Sequence, residues 1–249
     1  MTTTKISVSV TVLVLMCAAA ANAQQAAPAQ KSTMPLGDKV FIGLNVGVQT
    51  RSSTITKDFS LPIYRETATA TMSETVGRGT IFDVSAGYRI MPQVGVAIGY
   101  TTFGNTGSAQ GTASVPNPTF FNRSAAVTIT PVDAKRSEHT TYIVLVGFLP
   151  VGEKTDLSLF IGPSFTKVNQ DLIYDFGVTA GTQSVLSPIR TESATAKGIN
   201  IGGDLSYQIM PQVGAGLFLR YIGGSVDLPS ATGVKAGGVQ IGIGARFRF

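Results

Sequence analysis

The sequence contains no tryptophan, one histidine and one cysteine, and only 13% of its 249 residues are charged. Each scarcity excludes something. The cysteine, Cys17, lies in an apolar N-terminal stretch, so the rest of the chain can form neither a disulfide nor a thiolate metal centre. One histidine, His139, with no carboxylates clustered at ligand spacing, gives no support to a metal site, and no cofactor is expected. The charged share is about half that of an ordinary soluble domain. Beyond residue 23 no apolar run approaches the ~18 residues that a membrane helix needs. Basic residues exceed acidic ones, 19 to 14, but they are scattered rather than gathered, so no nucleic-acid footprint is expected.

What is present begins with a secretory pattern. Met1 to Lys5 is a short positive lead, Ile6 to Ala20 is mostly apolar or small, and Ala21-Asn22-Ala23 is a small-x-small cleavage site. Ala21 and Ala23 would flank the recognition pattern, and Gln24 would become the new N-terminus. Met16 before Cys17 does not fit a lipoprotein signal, which needs a small residue there. Cutting after Ala23 removes Lys5 and Cys17 and leaves 18 basic against 14 acidic residues. The expected organisation is a signal peptide over 1–23, a flexible periplasmic lead rich in Ala, Gln and Pro over 24–38, and one domain over 39–249.

From Val40 the chain alternates with period two, the mark of a strand with two unlike faces. Val40, Ile42, Leu44, Val46 and Val48 oppose Phe41, Gly43, Asn45, Gly47 and Gln49. Seven more segments read the same way, centred on Phe82–Ile90, Val94–Tyr100, Tyr142–Phe148, Leu157–Phe165, Ile199–Tyr207, Val213–Tyr221 and Val239–Phe249. In the fourth, Tyr142, Val144, Val146 and Phe148 are taken as the lipid-facing side, although Ile143, Leu145 and Gly147 opposite them are scarcely more polar. The many glycines fall on strand faces with no helix following, which excludes phosphate-cradling loops.

The connections alternate in length. Met91-Pro92-Gln93, Met210-Pro211-Gln212 and Leu149 to Asp156 are short; Arg51 to Val76, Gly104 to His139, Lys167 to Ala196 and Gly223 to Lys235 are long and polar. Flanks such as Glu66 to Met72 and Ala125 to Thr130 still alternate, so hairpins are expected to continue past a membrane. YRIMPQVG at Tyr88–Gly95 recurs as YQIMPQVG at Tyr207–Gly214, 119 residues on, and Phe41-Ile42-Gly43 recurs as Phe160-Ile161-Gly162 at the same offset. Duplication of a four-stranded half explains both matches.

In hydrocarbon every backbone polar group must be paired inside the protein, so a spanning sheet must close on itself. These segments have the ~9–11 residue length and apolar outer face that spanning strands require. Tyr88, Tyr100, Tyr142, Phe148, Tyr207, Tyr221 and Phe247 fall where an aromatic girdle belongs. Over Val40 to Phe249 the chain resembles the OmpA/OmpX-type eight-stranded barrels of Gram-negative outer membranes. The resemblance implies an all-β, closed, antiparallel, up-and-down transmembrane barrel in the outer membrane. It also implies that the alternating end, with Phe247 and Phe249, is the signal read by the barrel-assembly machinery. With Phe249 as the last residue, no peptidoglycan-binding domain of the OmpA kind is expected. A secreted soluble β-sandwich is the alternative fold, since alternation alone does not distinguish lipid from a protein core.

By parity the lumen holds Asp83, Arg89, Asp204, Arg220, Arg246 and Arg248 with Asn45, Gln49, Asn200 and Gln240, and Phe41, Phe103, Phe160 and Phe218 point inward among them. Hairpin pairing about Met210-Pro211-Gln212 is expected to bring Asp204 diagonally toward Arg220. An eight-stranded barrel is just wide enough for side chains to fill, which favours an internal polar network. The competing reading is a narrow anion-favouring path past Arg89, Arg246 and Arg248. His139, beside Glu138, Thr140 and Thr141, raises a remote third reading, a lipid-modifying esterase; Thr141 stands where a serine would be needed, so a polar loop edge is expected. No catalytic residue is assigned. The expectation is a monomer held in outer-membrane lipid, whose long loops recognise an extracellular ligand or host surface.

Overall fold

A computed structural model describes residues 39–179, 185, 186 and 188–249. The expected signal peptide, the cleavage residues Ala21, Ala23 and Gln24, and the lead to residue 38 lie outside the described residues. Twelve strands are present in them: β1 (Val40–Gln49), β2 (Ser53–Ile63), β3 (Glu66–Val76), β4 (Gly79–Met91), β5 (Val94–Pro116), β6 (Ser124–Pro150), β7 (Thr155–Ile173), β8 (Gly177–Val178), β9 (Val185–Leu186), β10 (Ile189–Met210), β11 (Val213–Leu228) and β12 (Ala231–Arg248).

Eight of them form a ring, β1-β4-β5-β6-β7-β10-β11-β12, in which every neighbour pair is antiparallel and consecutive in the ring. It closes where β1 meets β12, with Phe41 opposite Arg248 and Gln49 opposite Gln240. Val40 and Phe249 exchange both backbone bonds, at 2.9 and 2.8 Å, across that seam. The 119-residue repeat relates β1 to β7 and the β4–β5 hairpin to the β10–β11 hairpin, so the ring is two four-stranded halves. The three short connections gather at one end: Met91 pairs with Val94, Met210 with Val213, and Pro150 with Asp156.

The long connections are largely strand. β5 and β6 run on together past Gly104 to Pro116 and Ser124. Between Ile129 and Val132 two residues, Thr130 and Pro131, oppose the single Gln110, a bulge where a proline with no N–H costs the ladder least. β2 and β3 form a separate hairpin whose β3 adds to the β5 extension, from Thr69 opposite Ser114 to Thr75 opposite Ser108. Beyond the ring, on the side opposite the short turns, stands a folded sheet rather than a set of loops, and it continues the hairpins as their alternating flanks indicate.

Within the ring the outer face is apolar and exposed: Leu44, Val46, Phe82, Val84, Ile98, Ile143, Leu145, Ile161, Leu217, Leu219, Ile241 and Ile243 are each over a third accessible. Tyr88, Tyr100, Tyr207 and Tyr221 share that face as the girdle expects. The fourth ring strand, β6, is turned the other way from the expectation. Ile143 and Leu145 are each 53% exposed, whereas Tyr142, Val144, Val146 and Phe148 are buried in the lumen. Both faces of β6 are apolar, so its own alternation carries no orientation; pairing of Ile143 with Ile98 and of Leu145 with Ile161 decides it. Tyr142 and Phe148 therefore do not belong to the girdle.

The lumen as candidate functional site

The lumen is built in layers from the end with short turns. Arg248 on β12 reaches Asp156 on β7 at 2.5 Å and Ser206 Oγ at 3.0 Å. Arg246 clasps Asp204 with two bonds, one from Nε at 2.9 Å and a second from Nη2. This bidentate geometry is the strongest an arginine offers a carboxylate. Arg89 lies over the Phe148 ring at 4.1 Å, and Phe148 meets Phe41 edge to face at 5.3 Å. Between these groups and the next layer is a cavity of about 100 Å³, walled by Phe160, Val144, Phe218 and Tyr142.

The second layer centres on Asp83, which is 1% exposed. It accepts hydrogen bonds from Asn45 Nδ2 (2.7 Å), Thr101 Oγ1 (2.7 Å), Tyr142 Oη (2.8 Å) and Arg220 Nη1 (2.8 Å). Arg220 also donates to Thr101 Oγ1 and, through Nε, to Gln240 Oε1 at 2.7 Å, while its guanidinium lies against the Tyr142 and Phe218 rings. Gln240 donates to Gln49 at 2.7 Å. Higher still, Arg136 donates to Glu138 at 2.8 Å, to Gln170 at 2.8 Å and to the Lys235 carbonyl at 2.5 Å, and the Gly237 amide donates to Glu138. These bonds stitch seven of the eight ring strands across the lumen. Asn200, on the eighth, is fully buried beside them on the wall.

Glycines make room for this filling. A Cβ on Gly99 would run into the Tyr142 ring, and one on Gly216 into the Arg246 guanidinium. At these two positions the missing side chain is what lets a large one from another strand lie against the wall.

Val168, Ala196 and Ala236 pack together at the level of Arg136 and Glu138, and above them the interior turns apolar with Leu172, Leu228 and Val234. Met72, Val115, Ile129, Ile173 and Phe176 form the core of the sheet beyond the ring.

The expected lumenal residues Asp83, Arg89, Asp204, Arg220, Arg246, Arg248, Asn45 and Gln240 all face inward. Their pairing differs in one respect. Asp204 is held by Arg246, which reaches it over Gly216 of the strand between, and Arg220 reaches across the lumen to Asp83. The Arg136–Glu138 pair was not expected. Glu138 is 3% exposed rather than part of a polar loop edge. The signal lay in the continued alternation of β6, where Arg136, Glu138, Thr140 and Tyr142 share one parity.

His139 faces outward, its Nδ1 2.9 Å from Tyr100 Oη with the rings stacked. Adjacent strand residues point to opposite faces, so Glu138 cannot orient His139. Thr141 shares its face but brings no carboxylate.

An apolar exterior, a closed hydrogen-bonded ring and an ion-paired interior have one environment in common. The chain is a small transmembrane β-barrel. No family model and no curated protein sequence matches it. Among solved structures it is similar to Neisserial surface protein A (15% identity, covering 84% of this chain and 97% of that one, TM-score 0.45). It is similar also to the outer membrane protein OprG of Pseudomonas aeruginosa (10%, 86% and 96%, 0.46) and to the outer membrane protease OmpT of Escherichia coli (10%, 88% and 100%, 0.43).

Proposed function

We propose that this barrel is an outer-membrane scaffold with a sealed lumen, whose extracellular sheet is the working surface. On this reading residues 1–23 direct export, the barrel-assembly machinery reads the strand that ends in Phe247 and Phe249, and the mature chain is a monomer in outer-membrane lipid. The sealed lumen carries the reading. The hydrogen-bonded layer from Asp83 to Gln170 crosses the barrel, and apolar residues close it again above. The extracellular sheet, with its own core, then offers the surface on which a ligand or host contact can form.

The runner-up, an anion-favouring channel, relies on Arg89, Arg246 and Arg248. The ~100 Å³ cavity lined by Arg246 and Arg248 gives it some purchase, but these two are neutralised by Asp204 and Asp156. An esterase is disfavoured by the opposite facing of His139 and Glu138, and we read the protein as non-enzymatic.

Single-channel recording on the refolded barrel in a planar bilayer tests the proposal. A silent bilayer, with folding verified by heat-modifiable gel mobility, is expected. Discrete, reproducible steps whose ion preference inverts in Arg246→Glu/Arg248→Glu would replace it with the channel.

A further inference from the structure

At the outer tip of the β5–β6 hairpin the chain reads Asn117-Pro118-Thr119-Phe120-Phe121-Asn122-Arg123. Phe120 and Phe121 are 61% and 69% exposed, as much as the most exposed apolar residues of the ring, Phe82 and Ile243 at 64% each. The segment is not slack. Asn117 Oδ1 accepts from the amides of Thr119 (2.8 Å) and Phe120 (3.1 Å), and the Asn117 amide donates to the Arg123 carbonyl at 2.6 Å. Asn122 takes a left-handed conformation (φ 55°), and its amide donates to Glu66 Oε1 at 2.5 Å. That last bond ties the tip to the β2–β3 turn, where Tyr64 and Arg65 also have positive φ, the geometry a two-residue hairpin turn of type I′ demands. The turn chemistry thus holds two adjacent phenylalanines in water at the point of the molecule farthest from its own membrane.

Arg65 and Arg123 are exposed and take part in no ion pair among the described residues, and the Glu66 carboxylate beside them accepts from the Asn122 amide. From Gly104 to Pro116 the β5 extension spans roughly 40 Å of strand at ~3.3 Å per residue. The tip therefore cannot dip back into the membrane that holds the barrel.

We infer that this tip docks on a second lipid bilayer bearing anionic headgroups, the two phenylalanines entering the headgroup boundary and Arg65 and Arg123 meeting its phosphates. The inference rests on the reading of the extracellular sheet as the working surface. Area decides between lipid and a protein partner. Two phenylalanines exposed to this degree present on the order of 250 Å², against the ~800 Å² per partner of a stable protein interface. Insertion of aromatic side chains ~5–10 Å into a bilayer needs no complementary pocket, and basic residues beside them strengthen it. Many barrels in one membrane would present the tip multivalently, raising avidity without new contacts.

The full chain folded in phosphatidylcholine nanodiscs is mixed with vesicles of phosphatidylcholine, alone or with phosphatidylglycerol, and the bound fraction is read after flotation. Capture by the phosphatidylglycerol vesicles is expected, weakened about tenfold or more in Phe120→Ser/Phe121→Ser, and also in Arg65→Gln/Arg123→Gln. These side chains are exposed, so the variants keep the fold. Equal capture by the wild type and the phenylalanine variant, equal capture by both kinds of vesicle, or no capture at all overturns the inference. A missing capture beside a silent planar bilayer sinks the docking alone and leaves the sealed scaffold standing; capture beside conductance steps does the reverse.

Discussion

Asp83 and Arg220 sit on strands that are far apart in sequence and face each other across the lumen, at 1% and 4% exposure. Two charges taken so far out of water are tolerable only because they are paired and their remaining donors and acceptors are filled, here by Asn45, Thr101, Tyr142 and Gln240. Removing one partner is worse than removing both. Arg220→Met strands the Asp83 carboxylate and is expected to cost about 3–5 kcal/mol, with Asp83→Asn/Arg220→Met recovering a large part of it. Urea unfolding of the barrel in lipid vesicles measures both. A single variant no less stable than the double one would show that the pair is not the organising contact. Sequence alone places Asp83, Arg220, Asn45 and Gln240 in the lumen, because parity decides facing, but it turns Tyr142 of the doubly apolar β6 toward lipid. It cannot pair them, because pairing depends on which side chains span the barrel, and Arg220 bypasses its neighbour Asp204 to reach Asp83.

The β2–β3 hairpin lies outside the ring, held to the β5 extension by the ladder from Thr69 to Thr75 and to β7 by two side chains. Glu74 Oε1 accepts from the Ile173 amide at 2.6 Å, and Lys57 donates to the Ile173 carbonyl at 3.1 Å, so one residue at the end of β7 anchors both strands. Glu74 is buried, and its Oε2 has no hydrogen-bond partner among the described residues. Burial pushes its carboxyl above the ordinary value; the Ile173 amide and Lys57 on β2 oppose this, while Asp171 on β7 and Glu192 on β10 add to it. The docked hairpin thus holds a proton more tightly than an undocked one. The stabilisation from this group is fully present below the ordinary carboxylate value and is lost as pH rises through the raised one. Hydrogen exchange of β2 and β3, corrected for intrinsic rate, is expected to show protection falling over that rise, and a flatter profile in Glu74→Gln. Protection that grows with pH would refute the assignment. At this scale the sequence is least legible. Alternation in Glu66 to Met72 marks a strand but not the partner it adds to, and β6, apolar on both faces, takes its orientation from its neighbours rather than from its own residues.

Across the whole molecule the outer face of continuous strands changes from apolar to polar. On β7 the outward residues are Leu157, Leu159, Ile161 and Phe165, then Lys167, Asn169 and Asp171; the inward ones are Ser158, Ser164 and Thr166, then Val168, Gln170 and Leu172. On β10 the outward Lys197, Thr195 and Ser193 follow Ile199, and the inward Ala196 follows Asn200. Parity never changes on these strands; the solvent does. The exchange marks the outer membrane boundary, at Phe165/Lys167 and Ile199/Lys197. It was legible in the sequence as an alternation that keeps its phase while swapping polarity, yet a polar stretch from Lys167 to Ala196 reads as loop when only the membrane sense is sought. The boundary makes a depth-dependent prediction on one strand. Ile161→Lys, near the middle of the lipid-facing run, is expected to cost about 2–4 kcal/mol, whereas Asn169→Lys, beyond the boundary, should cost about 0–1. Both side chains face outward on the same ladder, so strand propensity and register are held constant and only the medium differs. Equilibrium unfolding from phospholipid vesicles reads the two costs directly. If they were equal, the apolar belt would be facing something other than hydrocarbon, and the barrel would have to be reassigned to a protein or detergent-like surrounding.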